Sequence, residues 1–388
     1  MIEDEYSSGV YPKRPVEIVR GKGVRVWDSN GREYIDCVAG FGVALIGHCN
    51  DMVVKAIKIQ AEILITCPGI FYNDVRAKLL ELLAKITPKP LSKTFLSNSG
   101  TESVECALKI ARKYTGRKEI IAMKRAFHGR TMGSLSATWR KKYKKSFEPL
   151  VPGFKHAVFN DLDSVQDLIT NNTAAIIVEP IQGEGGVYIA DREFIRGLRD
   201  VCDDKNILLI FDEVQTGFGR TGKMFALEHY NVSPDILCIG KGMAGGLPVG
   251  ATIARPEIFE SLRKGEHGST FGGNPLVAAA SIATINFILK NNLHEKAGEK
   301  GRYLLNKLRK IESRVIREIR GIGLMIGIEL KFPVKNYILK AMEKGVLIHS
   351  SGISILRLLP PLVISYGELE IVAECLNEVL GHEDTYIG

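Results

Sequence analysis

The sequence is short of several things that would have suggested other classes of protein. Its seven cysteines (Cys37, Cys49, Cys67, Cys106, Cys202, Cys238 and Cys375) are odd in number, scattered, and never spaced as C-x-x-C. That argues against a disulfide framework or a zinc site, and they are expected to be buried small hydrophobes. No metal site is expected. No apolar run is long enough to cross a bilayer. The first ten residues, MIEDEYSSGV, are acidic and lack the apolar core of a signal segment. The expectation is therefore a cytoplasmic protein with no membrane association. Low-complexity tracts and repeats at solenoid periods are also missing. Aromatics are 7% of the chain, and none is interleaved with basic residues at the spacing that stacks nucleic-acid bases.

What is present is a globular composition, 45% hydrophobic and 25% charged with 39 glycines, over 388 residues. That length suffices for two domains, or one large domain with an attached lobe. Fifty-two Lys and Arg against 44 Asp and Glu leave a net charge of +8, which favours anionic partners without specifying them. Part of the surplus is local: Arg140, Lys141, Lys142, Lys144 and Lys145 crowd into WRKKYKKSF. A solvated helix or loop face is the commoner meaning of such a run.

The chemistry is concentrated in residues 206–241. A short apolar run, 207–211, ends in Asp212; a Gly-rich loop and an expected helix follow; a second apolar run, 236–239, ends near Lys241. Such runs have the pattern of buried parallel strands, which would set an acid and an amine at the carboxyl edge of one α/β sheet, where ligands bind. A lone Asp and Lys so placed usually form only a strand-end ion pair. An aldehyde cofactor that links covalently to Lys and keeps its ring nitrogen protonated against a carboxylate needs the same two groups, and pyridoxal 5'-phosphate (PLP) is the candidate.

The strand-then-loop alternation recurs elsewhere. In KTFLSNSGTESVECALKIARKYTG a strand ends near residue 96, and Ser99, Gly100 and Thr101 feed a helix with 3.6-residue periodicity. This is a candidate phosphate cradle, or simply an N-cap. The strand 119–123 leads to Phe127, His128, Gly129 and Arg130, an aromatic, an imidazole and a guanidinium on one loop. AAIIVEPIQGEGG gives another strand, with Glu184 in its Gly-flanked loop. Right-handed crossovers would bring all these loops to one sheet edge. Earlier, residues 24–37 read as a hairpin around Asp28-Ser29-Asn30-Gly31, preceded by Tyr11, and two amphipathic helices fall between residues 51 and 85. After Lys241 a tight hairpin is expected, then a loop with Ser269 and Thr270 feeding a long apolar helix, Lys/Glu-rich helices, and strands at 322–330, 346–348 and 355–358. Arg357, set among Leu and Ile, requires a carboxylate partner.

In order along the chain, SNSGTES, AFHGRT, EPIQGEGG, IFDEVQTGFGRTG, IGKGMAGGLPVGA, STFGGNP and LRLLPPL resemble the class III, fold-type I PLP-dependent aminotransferases, in particular the acetylornithine/ornithine group. The N-terminal stretch YPKRPVEIVRGKGVRVWDSNGREYIDCVAGFGVALIGH looks most like the lysine-biosynthesis branch, whose members act on intermediates attached to a small acidic amino-group carrier protein. The resemblance implies an α/β fold: a large PLP-binding domain at residues 46–280, its mostly parallel sheet lying between helices, and a smaller α+β lobe built from 1–45 and 281–388. It implies that Lys241 holds PLP covalently, Asp212 bonds the pyridine nitrogen, Gln215 lies near the ring hydroxyl, and Phe127 stacks on the ring beside His128. Ser99, Gly100 and Thr101 would receive the phosphate, with Thr270 supplied by the neighbouring subunit of a homodimer. Arg130 would bind the distal substrate carboxylate, Arg357 the α-carboxylate of glutamate, and Glu184 would pair with Arg357; Tyr11 is a further substrate contact.

The reaction expected is transfer of an amino group between an ω-amine and 2-oxoglutarate or glutamate, in lysine and possibly arginine synthesis. On a carrier-linked substrate the run 140–145 becomes a docking site. Acetylornithine or ornithine aminotransferase acting on free substrate is the nearest alternative. Another PLP reaction, such as an aminomutase or decarboxylase, and a non-catalytic basic binding protein stand further off.

Overall fold

The computed structural model describes residues 2–381. Among these residues, seven strands form the central sheet, in the spatial order Lys93–Ser97, Gly250–Ala254, Ile236–Gly240, Leu208–Asp212, Thr173–Val178, Glu119–Met123, Phe154–Ala157. Only Gly250–Ala254 runs antiparallel to its neighbours. The other six therefore end at one edge, and the loops that leave them share one crevice.

Each apolar run is continuous because both sheet faces are covered. Along the Glu119 strand, Ile121 and Met123 join one core cluster while Ile120 and Ala122 join another. The Asp212 strand divides the same way, with Leu209 and Phe211 on one side and Leu208 and Ile210 on the other. Full burial of each large side chain is worth about 1.5–3 kcal/mol, so the strands are anchored from two directions and the residues at their ends inherit that rigidity.

Local signals place the elements that flank the crevice. The helix Gly100–Thr115 starts at Ser99, whose side chain accepts from the Glu102 N–H, buries Val104, Leu108 and Ala111, and stops at Gly116 in the left-handed region. The helix Pro275–Lys290 is capped by Asn274 and has proline in its first turn. It packs against the helices Asp51–Ile63 and Asp74–Ile86 and behind the 3-10 turn Lys241–Ala244, so it is buried on more than one face. This helix runs without a break across residues 280 and 281, where the lobe boundary is expected.

Both chain ends contribute to one smaller sheet. Ile18–Lys22, Arg25–Asp28 and Glu33–Asp36 form the expected hairpin region, and Val346–Leu347 adds in parallel to the last of them. A second sheet, in the order Ile316–Ile322, Met325–Leu330, Ile355–Leu358, His349–Ser351, carries Arg357.

Two sequence expectations need correction. The strand expected at 322–330 starts later, at Met325: Ile322 ends a preceding strand, Ile316–Ile322, and the chain turns at Gly323, whose φ is +56° and where a Cβ would lie 2.4 Å from the Thr221 backbone carbon. The helix expected between Asp212 and residue 236 is only the 3-10 turn Ala226–His229. Gly219 and Gly222 have positive φ there, and the buried Glu213 carboxylate, rather than a helix, takes the Ala226 and Leu227 N–H groups at 2.6 and 2.8 Å. Of the seven cysteines, Cys37, Cys106, Cys202, Cys238 and Cys375 are buried as expected, while Cys49 is exposed and Cys67 half-buried.

Candidate active site

Asp212 ends the Leu208–Asp212 strand and Lys241 follows the next strand directly, so two neighbouring parallel strands deliver the acid and the amine to one cavity of about 240 Å³. Gly100, Thr101, Phe127, His128, Arg130 and Glu184 line it with them. Val214, Gln215 and Glu179 complete much of its wall.

Asp212 is held on both oxygens. Its Oδ1 accepts from the Val214 N–H at 3.0 Å, and its Oδ2 lies 2.7 Å from His128 Nδ1. A carboxylate has about four acceptor directions, so capacity remains for a protonated ring nitrogen. Burial alone would lower the His128 pKa, but the hydrogen bond to Asp212 and that carboxylate's charge outweigh it, and the pKa is raised. His128 is itself fixed through its N–H to Thr138 Oγ1 at 2.9 Å. The acid is thus aimed by a buried imidazole, which gives His128 a physical role that the sequence left open.

Lys241 has φ of +42°, a left-handed conformation that side chains other than glycine rarely adopt and that costs about 1–3 kcal/mol. The strain falls on the residue whose side chain lines the cavity. Burial lowers the pKa of its amine, with the Glu184 charge opposing and the Arg357 charge reinforcing the shift. A larger neutral fraction makes the amine a better nucleophile and proton acceptor.

The Gly100 helix presents its N-terminus at the opposite wall. A Cβ at Gly100 would stand 2.4 Å from Val214 Cγ1, and one at Gly129 would stand 2.1 Å from Thr101 Oγ1, so the backbone approach here requires glycine. Thr101 Oγ1 lies 2.6 Å from Ser134 Oγ and 2.9 Å from Thr131 Oγ1, forming a small hydroxyl cluster. The Ser99 hydroxyl is used as the helix cap, 3.3 Å from the Glu102 N–H.

The third feature is an ion pair. Arg357, fully buried, places Nη2 2.6 Å from Glu184 Oε1, and its Nη1 donates to Gln215 Oε1 at 3.3 Å. Burial would raise the Glu184 pKa, but the charges of Arg357 and Lys241 outweigh it and hold the carboxyl below its ordinary value. Arg357 Nε has no hydrogen-bond partner among the described residues, so donors remain for a second carboxylate.

Arg130 is exposed at the mouth, with its guanidinium 3.7 Å from the centre of the Tyr143 ring and 5.5 Å from that of Phe127. Thr270 and Tyr11 are exposed too, and neither is among the residues lining the cavity of this protomer.

Several contributors escaped sequence reasoning. Glu179 accepts the Phe127 N–H at 2.9 Å and the Gly183 N–H at 3.2 Å, tying two site loops to one strand end; burial pushes its carboxyl up to about 7. An acid closing an apolar strand was the available signal. His349 pairs opposite Arg357 in the antiparallel sheet, and burial and the Arg357 charge push its pKa down to about 4. His349 comes from a distant segment, and Tyr143, within the basic run WRKKYKKSF, carried no signal of its role against Arg130. Arg140 and Lys144 depart from the docking expectation: Arg140 Nη2 donates to the Glu184 carbonyl at 2.9 Å and Lys144 Nζ to the Ser136 carbonyl at 3.0 Å. Both turn inward, leaving Lys141, Lys142 and Lys145 as the exposed members of the run.

The family model for class III aminotransferases matches residues 6–380. The chain belongs to that family. It is 50% identical over 369 residues to an acetylornithine aminotransferase of Methanopyrus kandleri, covering 95% of each chain. A [LysW]-aminoadipate semialdehyde/glutamate semialdehyde transaminase of Sulfolobus acidocaldarius is 45% identical over 373 residues, 96% of each chain. Among solved structures, the ornithine aminotransferase of Toxoplasma gondii superposes with a TM-score of 0.94 at 34% identity, covering 97% of this chain and 93% of that one. This class III aminotransferase is therefore a PLP-dependent enzyme with the fold-type I architecture. The donor set fits the cofactor: an amine, a buried carboxylate, an aromatic ring and a glycine-opened helix N-terminus surround one cavity.

Proposed function

We propose that the enzyme transfers an amino group between the ω-amine of a carrier-protein-linked lysine- or ornithine-type substrate and 2-oxoglutarate, in lysine and possibly arginine synthesis. The observation that carries the reading is the Glu184–Arg357 pair beside Lys241. One site has to accept two unlike amines. Glutamate brings a carboxylate on the reacting carbon, and an ω-amine brings only hydrogen there. With glutamate, Arg357 takes the α-carboxylate and Glu184 turns away. With the ω-amine, Glu184 neutralises Arg357, since a buried unpaired charge would cost about 3–5 kcal/mol.

The cofactor supplies the electron sink for charge that develops on the substrate carbon. Asp212, aimed by His128, would hold the ring nitrogen in its cationic form. With the cofactor bound, Lys241 Nζ would take the proton from the substrate carbon that bears the amine in one half-reaction and, as the acid, deliver a proton to the corresponding carbon of the acceptor in the other. Phe127 would pack against the ring, and Gly100 and Thr101 would offer N–H groups and a hydroxyl to the phosphate. Arg130 takes the distal carboxylate of the substrate, and Tyr11 remains a further substrate contact on the strength of the resemblance.

A second copy of the chain completes the site with Thr270. What supports this is an exposed apolar cluster beside that residue: Ile70, Phe71 and Phe271 are all exposed, and Arg76 links the Cys67 and Gly273 carbonyls that hold the two loops together. The division into a large domain, 46–280, and a small one from both ends belongs to the same reading, as does a cytoplasmic location. Among the described residues, no single helix is long and apolar enough to cross a membrane.

The test is single-turnover measurement of each half-reaction. Glu184→Ala should slow the ω-amine half at least tenfold more than the glutamate half; equal losses would remove the switch. Borohydride should fix the cofactor to wild-type chain and not to Lys241→Ala, read by mass. Free N-acetylornithine turning over as efficiently as carrier-linked substrate would favour the acetylornithine aminotransferase reading.

A further inference from the structure

The loop that carries Glu184 is bound through its backbone on several sides. The Glu184 carbonyl accepts from Arg140 Nη2 at 2.9 Å and from Ser351 Oγ at 2.6 Å. Gly183 N–H donates to Glu179 Oε2 at 3.2 Å and Arg320 Nε donates to the Gly186 carbonyl at 2.9 Å, while the Gln182 side chain adds a bond from Nε2 to the Lys124 carbonyl at 2.9 Å. Ser351 is fully buried. The adjoining Gly352 leaves room for the guanidinium, since a Cβ there would lie 3.0 Å from Arg140 Nη2. The Glu184 side chain, by contrast, is 24% exposed.

A fixed backbone under a partly exposed side chain leaves χ rotation as the path by which the carboxylate can leave Arg357. We propose that Arg140 and Ser351 are positioning residues which hold the Glu184 carbonyl, so that exchange of partners at Arg357 is a side-chain rotation with no loop rearrangement. The inference rests on the reading of Glu184 as the shield of Arg357. Two donors on one carbonyl reduce the freedom that the pair would otherwise have to surrender each time it re-forms, and this favours the closed pair over the open one. Arg140 thus belongs to the switch rather than to a docking surface, although its neighbours Lys141 and Lys142 are exposed.

The experiment uses the PLP-loaded enzyme with Arg140→Ala, Arg140→Lys and Ser351→Ala, the last removing only an oxygen. Single-turnover rates are measured with N-acetylornithine and with glutamate, and the Kd of glutarate, a dicarboxylate without an amine, by calorimetry. Loss of one charge-assisted bond to the carbonyl should slow the ω-amine half about tenfold. Glutarate should bind more tightly, by about threefold, because a less firmly placed Glu184 competes less for Arg357. Arg140→Lys should recover part of both changes, and Ser351→Ala should reproduce their directions. A merely structural role would weaken glutarate binding and both half-reactions together, and that outcome, or no change, overturns the proposal. If Glu184→Ala itself shows no asymmetry, the shield reading fails; if it does and the Arg140 and Ser351 variants do not, only this inference fails.

Discussion

The cavity holds two acid–base contacts of nearly equal length that serve opposite purposes. Asp212–His128, at 2.7 Å, joins two buried groups that are each anchored again by a backbone hydrogen bond. Glu184–Arg357, at 2.6 Å, joins a buried cation to an acid whose backbone is tied down but whose side chain reaches solvent. The first pair has no route out, since separating it would leave a buried charge unpaired. In the second, the open side of Glu184 provides water to receive the displaced carboxylate. What separates a fixed electrostatic element from a switch here is the exposure of one partner.

The largest effect should come from breaking the fixed pair. Asp212→Ala is expected to reduce both half-reactions by about a thousandfold, and equally, because the charge it stabilises develops in both. Rates that fall in one half alone would mean that Asp212 acts on a substrate and not on the cofactor ring. Breaking the switch should be smaller and lopsided. Arg357→Ala should cost the glutamate half about a hundredfold, as expected when one member of a buried charge contact is lost, with the ω-amine half much less affected.

A third prediction concerns acids that belong to neither pair. Burial pushes Glu179 up to about 7, and burial also pushes Glu213 up to about 7, even though three donors converge on Glu213. For a carboxyl raised above its unfolded value, the folded chain binds the proton more tightly. Its contribution to stability is then complete below about 4.5 and is lost as pH rises to about 7. Each such group corresponds to about 3 kcal/mol between those limits. Thermal unfolding between pH 4.5 and 8 should show this downward contribution, on top of whatever the surface carboxylates add. Replacing Glu213 by Gln should flatten it while lowering stability at low pH, because an amide cannot accept from all three donors. An unchanged slope would show that Glu213 stays ionised in the fold throughout that range. His349, pushed down to about 4, is neutral in the fold over this range but charges in the unfolded chain below its ordinary value near 6.5, so it adds an opposing rise in stability between those limits, and the difference between wild type and the Gln variant is what isolates Glu213.

The pattern of success in the sequence follows from where the determinants lie. Asp212, Lys241, Gly100 and Phe127 each stand where an apolar run meets a turn, so a strand count and the parallel rule bring them together. Glu184 and Arg357 needed more: a charged residue in an apolar strand announces that a partner exists, while the partner's identity came from resemblance. Arg140, Ser351 and His349 gave no signal because their roles arise from contacts between segments far apart in the chain, and Tyr143, closer to its partner Arg130, stood in a basic run whose pattern pointed elsewhere. Arg140 is the instructive case. Within WRKKYKKSF it is indistinguishable from its neighbours, yet its guanidinium is directed at a carbonyl 44 residues away. The helix expected after Asp212 failed for the converse reason, since a side chain, Glu213, took the N–H groups that a helix would have used.

The smallest expected effect tests what remains of the basic run. With Arg140 and Lys144 turned inward, Lys141, Lys142 and Lys145 are the exposed charges, and Tyr143 between them stacks on Arg130 at the cavity mouth. An acidic carrier bringing its substrate to Arg130 would therefore approach over these lysines. Surface charges of this kind act mainly on the encounter rate, and the Debye length of about 10 Å at 0.1 M salt shortens as salt is added. Replacing the three lysines by Ser should lower kcat/KM for carrier-linked substrate by about three- to tenfold at low salt, with the difference closing toward 0.5 M. Free N-acetylornithine should be almost indifferent to the substitution. Because none of the three side chains enters the cavity, a parallel loss for both substrates would assign the run to local stability, and equal salt slopes would leave it an ordinary solvated face.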